Sequence, residues 1–272
     1  MRNSKTNELV LTGLFTAIII IMAFTPLGYI PLVVINATII HIPVILGSLF
    51  CGPKKGAFLG FVFGFTSCLK ATIVGGTLSS FVFSPVLAAS LVGTSGIFKS
   101  LFIAFVPRIL VGVIPYFVYI GIKKVLASEK KNLWGTVLTV LMSAFLAFGV
   151  YAFLGKMSES LSQAAALGIG IAVGAVVFIV VEAVFIRKST QVIPFVYAGV
   201  AGAMTNTLLV MGSIFVLYKD AYADAIGVAG NAVLGVITGV ISFNGVIEAI
   251  VAAIIVYLVG LVLNTIKPIA AK

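Results

Sequence analysis

Apolar runs of bilayer length fill most of the chain, and they decide its class before any motif is read. The runs are Leu9–Ile30, Ala37–Cys51, Gly56–Val74, Phe98–Ile122, Leu133–Leu154, Ala164–Ile186, Pro194–Leu217 and Ala232–Leu263. A helix crosses the hydrocarbon core with about 20 apolar residues, so these runs predict about eight spans, the second of them short. Of 272 residues, 9% are charged, against about 25% in a soluble domain. The runs therefore predict an all-α polytopic membrane protein, one integral domain over 1–272 in contact with lipid. Helical periodicity adds little, because buried membrane helices are apolar all round.

The net charge of +10 does not point to nucleic acid. Its lysines and arginines fall in short clusters between runs, as in cytoplasmic loops. With the N-terminus inside, Arg2, Lys5, Lys54, Lys55, Lys123, Lys124, Lys130, Lys131, Arg187, Lys188, Lys267 and Lys272 all lie inside, while Lys156, Lys219 and Lys99 lie outside. That asymmetry predicts an N-in, C-in topology with an even number of crossings. The first run lacks a small-x-small cleavage site and reads as a retained helix rather than a signal peptide. Cys51 and Cys68 form no metal spacing and read as packing residues. No metal site and no cofactor is expected.

One stretch breaks the apolar pattern. Pro26-Leu-Gly-Tyr-Ile-Pro-Leu-Val-Val-Ile-Asn-Ala-Thr-Ile-Ile-His-Ile-Pro-Val holds three prolines, an Asn, a Thr and the single histidine, and Gly52-Pro-Lys-Lys55 follows it. Irregular backbone at membrane depth needs protein or water to satisfy it, so the stretch reads as a ligand-facing corner on the outer side. Gly75–Ile97 is a second irregular segment. It is too polar to span but carries an apolar Phe81-Val-Phe-Ser-Pro85 core.

Charged groups within spans are costly and mark function by default. Arg108 lies near the middle of its run, Lys70 near the outer end of the third, and Glu248 mid-way along the last. Glu182 lies near a cytoplasmic end, where it snorkels or pairs with Arg187. Arg108 reads either as an anchor for an anion, which guanidinium suits, or as half of an ion pair with Glu248 that fixes two helices. Asn244 and Glu248 share a helix face, and Asn206 sits mid-span in Thr205-Asn-Thr207. Buried amides must find partners, so these residues are expected to bond across helices or to line one pocket towards the outer face. His41 shares a face with Thr38 and Ser48 and reads as a satisfied structural histidine. Gly56, Gly60 and Gly64 form a doubled GxxxG stripe, and Gly13 and Ala17 make a similar pair. Such small residues serve packing inside the bundle or docking of a membrane partner. Gly93-Thr-Ser-Gly-Ile-Phe-Lys-Ser100 has two residues too many before its lysine to be a P-loop. No nucleophile and base stand together, so an enzyme is not expected.

In combination, Leu-Gly-Tyr-Ile-Pro31, Asn36-Ala-Thr-Ile-Ile-His-Ile-Pro-Val44, Gly52-Pro-Lys-Lys-Gly-Ala57, Phe63-Gly64, Phe81-Val-Phe-Ser-Pro85, Val106-Pro-Arg-Ile109, Thr205-Asn-Thr207 and Asn244-Gly-Val-Ile-Glu248 resemble the substrate-binding S components of energy-coupling factor (ECF) vitamin transporters, most of all the pantothenate type. The resemblance covers about 5–125 and 194–265 and implies a six-helix bundle that takes its vitamin from outside. It implies partners, a T component and two ATPase subunits that carry out hydrolysis, on which the bundle topples to release the vitamin inside a bacterial cell. It also implies that Arg108, with Lys70, takes a carboxylate. Asn36, Thr38, Asn206 and Asn244 would then meet the amide and hydroxyls, while Glu248 holds Arg108 or accepts a hydroxyl. The outer corner becomes a lid, with His41 as its support. Gly13 and Ala17, with Gly56, Gly60 and Gly64 nearby, would contact the T component. Leu133–Ile186 departs from the family pattern and is expected to be an inserted two-helix hairpin, about 132–188, between core regions of about 9–126 and 194–265. The alternative function is a stand-alone transporter of a small organic anion that couples to protons through Glu248.

Overall fold

The computed structural model describes residues 2–31, 36–75, 77–157, 161–188, 192–266 and 268–269. The chain is a polytopic bundle of helices. Among the described residues, seven helices are long and apolar enough to cross a membrane, and an eighth apolar helix, α2 (His41–Cys51), is shorter. The expected short second run is thus a real element, shortened because the chain before it is not helical.

Helix α1 (Arg2–Phe24) ends at a 3-10 turn, Pro26–Gly28, and enters a two-stranded antiparallel ribbon. Its strands β1 (Tyr29–Pro31) and β2 (Asn36–Thr38) pair Tyr29 with Thr38 and Pro31 with Asn36. Ribbon pairing satisfies backbone groups that the prolines deny to a helix. The sequence predicts an irregular outer corner, and the ribbon gives that corner regular pairing. Gly52 then adopts φ +88°, a conformation that favours glycine, and Pro53 opens α3 (Pro53–Ile73) at its first position, where no N–H is needed. The polar segment after α3 forms a 3-10 turn, Ser80–Val82, and α4 (Pro85–Val92). The Ser84 hydroxyl caps α4 by accepting from Leu87 N–H at 3.2 Å.

The expected fourth span is two helices, α5 (Thr94–Val111) and α6 (Ile114–Leu126), broken at Gly112. The Ser48 hydroxyl on α2 donates to the Gly112 carbonyl at this break. Helices α7 (Lys131–Met157) and α8 (Gln163–Lys188) follow. Gly170 backs onto Ala147 and Tyr151, and Gly174 onto Ser143 and Ala147, so the two run antiparallel as a hairpin. Helix α9 (Val192–Ile226) bends at Tyr218, whose φ of −134° is not helical. The last span comprises α10 (Val233–Val240), one π-helical turn over Ile241–Gly245, and α11 (Val246–Ile266).

Lipid tails are as apolar as leucine, so close packing and polar contacts must hold the helices together. The glycine stripe does this between α3 and α5. A Cβ at Gly56, Gly60 or Gly64 would strike the backbone carbonyl of Gly112, Arg108 or Ala104 in turn. That seam is buried inside the bundle, so these three glycines do not face a docking partner. Gly13 and Ala17 on α1 do face outward. A second seam joins α9 to α11, where Gly199 meets the backbone of Ala252 and Gly260 meets the Phe195 ring. Lys55 and Glu8 bridge α3 and α1 at 2.7 Å, a part-exposed pair worth about 1 kcal/mol at most.

Candidate functional site

Arg108 is held by its own helix and by aromatic rings. Pro107 has no N–H to donate to the Ile103 carbonyl one turn back. The Arg108 Nη1 donates to that carbonyl instead, at 2.6 Å. Its guanidinium carbon lies 4.7 Å from the Phe83 ring centroid and 5.5 Å from that of Phe63. Ring faces attract a cation without neutralising it. The residue is buried, and its Nε has no partner among the described residues.

The expected ion pair with Glu248 is not formed. Among the described residues, no carboxylate lies within 4.0 Å of Arg108, and Glu248 acts on it at longer range. Glu248 is bonded elsewhere. Its Oε1 accepts from the Thr38 backbone N–H at 2.8 Å and its Oε2 from the Thr207 hydroxyl at 2.7 Å. One carboxylate therefore ties the ribbon to α11 and α9. A carboxylate offers about four lone-pair sites, so acceptor capacity remains.

Asn206 and Asn244 are both buried, and neither amide oxygen meets a donor among the described residues. Asn244 is carried by the π turn, whose Gly245 backs onto Thr207 and Met204 of α9. Such turns are frequent at functional sites. His41 is fully buried, and neither ring nitrogen has a partner among the described residues. The expectation of a satisfied structural histidine is therefore corrected.

Lys70 is bonded to other partners. Its ammonium donates to the Ala23 carbonyl in the last turn of α1 at 3.0 Å and lies 4.0 Å from the Tyr29 ring centroid. It fastens the end of α1 and the start of the ribbon to α3. Thr38 contributes its backbone N–H rather than a demonstrated side-chain contact. The Asn36 side chain lies outside the described residues, though its backbone pairs in the ribbon. Phe63, Phe83 and Thr207 are site residues that sequence reasoning missed. Phe83 could have been found as an aromatic in the apolar core of an otherwise polar segment.

The arrangement combines an unneutralised buried guanidinium, two unpaired amide oxygens and an unpaired imidazole, under a ribbon latched by Glu248. A guanidinium so placed can take an anion, and unpaired amide oxygens can accept from donors that the anion carries. Among the described residues no group of three or more His, Cys, Asp or Glu could hold a metal ion.

A family model described as "ECF transporter, substrate-specific component" matches residues 7–260. The chain is 42% identical over 161 residues to the "Pantothenic acid transporter PanT" of Lactococcus lactis subsp. cremoris, covering 55% of this chain and 78% of that protein. It is 27% identical over 277 residues to the "Pantothenate transporter PanT" of Leuconostoc mesenteroides subsp. mesenteroides, covering 100% and 98%.

Proposed function

We propose a vitamin-importing role from one premise: the chain belongs to the family of ECF transporter substrate-specific components. It binds a small anionic vitamin, pantothenate, and delivers it across the bacterial cell membrane together with a T component and two ATPase subunits. The family and the two relatives are transporters, and no chemistry on the ligand is proposed.

Arg108 carries this reading. A charged side chain inside a span costs several kcal/mol unless it is compensated, and here the protein supplies rings and a carbonyl rather than a carboxylate. The ligand carboxylate provides the compensation. Asn206 and Asn244 accept from its amide or hydroxyls. Asn36, Thr38 and Lys70 stay in the proposal as lid groups that close over it, and Glu248 as the latch. The buried atoms that face the ligand are shut off from solvent, so entry requires the ribbon to lift on the side that the charge distribution assigns to the outside.

The outward-facing Gly13 and Ala17 on α1 support docking of the T component. A groove lined by Asn7, Val10, Leu11, Leu14, Phe50, Leu263 and Ile266 adjoins them at the opposite end from the ribbon.

The test is labelled pantothenate binding by the purified protein, followed by uptake into liposomes with and without the T and ATPase subunits. Binding by the chain alone and uptake only with its partners and ATP is the expected result. Uptake by the chain alone under a pH gradient would establish the proton-coupled alternative instead.

A further inference from the structure

We infer that His41 is a ligand-contacting residue that reads a hydroxyl of the bound acid; this rests on the vitamin-binding reading above. On α2, His41, Ile45 and Ser48 share a face. A Cβ at Gly202 of α9 would meet Ile45, with Pro115 beside it, and one at Gly56 of α3 would meet Ser48 and the Gly112 carbonyl. That face therefore looks into the junction of α3, α5, α6 and α9. His41 stands one turn, about 6 Å, nearer the ribbon than Ile45.

The partners of that junction carry polar groups at the same step. One turn from Gly202 towards Thr207 and the ribbon is Asn206. Arg108 stands one turn from Gly112 towards Ala104, about 6 Å against about 10.5 Å from Ser48 to His41, and its guanidinium makes up the difference by reaching outward to the Ile103 carbonyl. Three elements thus place His41, Asn206 and Arg108 in one layer above a glycine floor, and each has a buried polar atom with no partner among the described residues. A structural histidine in such a place would be expected to bond one of its neighbours, because unpaired buried polar groups are rare.

The unpaired atoms also describe the ligand. Arg108 Nε and one imidazole N–H need acceptors. The Asn206 and Asn244 oxygens and the imidazole lone pair need donors. A carboxylate alone offers no donor. A hydroxyl can do either, donating to the lone pair of a neutral imidazole or accepting from its N–H, one ring nitrogen at a time.

The single histidine makes the test direct. Wild-type protein carrying a tag without histidine is labelled with 15N-histidine and placed in lipid nanodiscs. Pantothenate is expected to move the ring nitrogen resonances, whereas an analogue with its hydroxyls replaced by hydrogen leaves them near their ligand-free positions. In parallel, His41→Gln and His41→Phe, checked for unchanged melting, are expected to lose about tenfold to hundredfold affinity for pantothenate and little for the analogue. Equal resonance shifts with both ligands, or affinity losses in the variants that are equal for pantothenate and the analogue, would overturn the inference and leave the vitamin reading standing. Failure of the wild type to bind pantothenate at all would overturn both.

Discussion

Glu248 and Glu182 each lie within a span, and each accepts a hydrogen bond of 2.7 Å from a threonine hydroxyl, Thr207 in one case and Thr136 in the other. The surroundings differ. Glu248 has its second oxygen on the backbone of a strand 210 residues away, and it joins the ribbon, α9 and α11. Glu182 joins α8 to its own hairpin partner α7, and its Oε2 has no partner among the described residues. The Arg187 side chain, its expected partner, lies outside the described residues. Around Glu248 the backbone is irregular, with the ribbon bonded to it and a π turn just before it. Around Glu182 it is two uninterrupted helices. The same chemical pair thus ties down a ribbon in one region and joins two packed helices in the other. Irregular backbone at membrane depth is what separates the two regions.

The contrast yields four expectations, the largest effect first. Arg108→Ala should lower pantothenate affinity by roughly a hundredfold or more, because it removes the partner of a buried charge, while the protein still inserts. Binding close to wild type would break the assignment of the polar region. Gly60→Val should come next. Its side chain would meet the Arg108 carbonyl and the backbone of Ile109, so melting should fall by several degrees and binding should fall with it. An unchanged melting curve would show that the α3–α5 seam is looser than described.

Glu248→Gln keeps one acceptor oxygen but turns an NH2 towards the other donor. Loss of one charge-assisted hydrogen bond should weaken binding by about tenfold, mainly through faster release as the ribbon opens more often. A slower on-rate with unchanged release would point to a role in ligand capture instead. Glu182→Gln should change binding by less than about twofold and act on melting alone, since an isolated side-chain hydrogen bond contributes about 1 kcal/mol. A tenfold loss of binding from Glu182→Gln would erase the distinction between the two regions.

Much of the polar region was legible in sequence for one reason. Arg108, Asn206, Asn244 and Glu248 stand out because each interrupts an apolar run, and the bilayer makes such interruptions costly. The hairpin was legible because two runs of bilayer length follow each other between lysine clusters. Partners were not legible. That Glu248 would take the Thr38 N–H rather than Arg108 depends on a ribbon whose pairing no local propensity fixes. That Gly56, Gly60 and Gly64 would be covered by α5 rather than a partner depends on which helix lies alongside, and a GxxxG stripe does not name its neighbour. Lys70 looked like a second anion anchor because its charge was visible, whereas the Ala23 carbonyl that holds it was not. Phe63 was hidden for the opposite reason: a ring in an apolar run carries no signal until a cation lies against it.

The π turn at Ile241–Gly245 has a consequence for how this chain tolerates change in length. A π turn contains one residue more than an α turn, and removing that residue restores the regular winding. Each residue of an α-helix advances the phase by about 100°. Deleting one residue between Ile241 and Gly245 would therefore leave α11 in phase with α10, whereas deleting one between Glu248 and Ala252, in regular helix, would rotate Glu248 by about that angle relative to the seam with α9 while leaving the span just as apolar. Glu248 would then swing away from Thr38 and Thr207. Two chains of equal hydropathy could differ only in the place of a single deletion, and only one of them would hold its ribbon down.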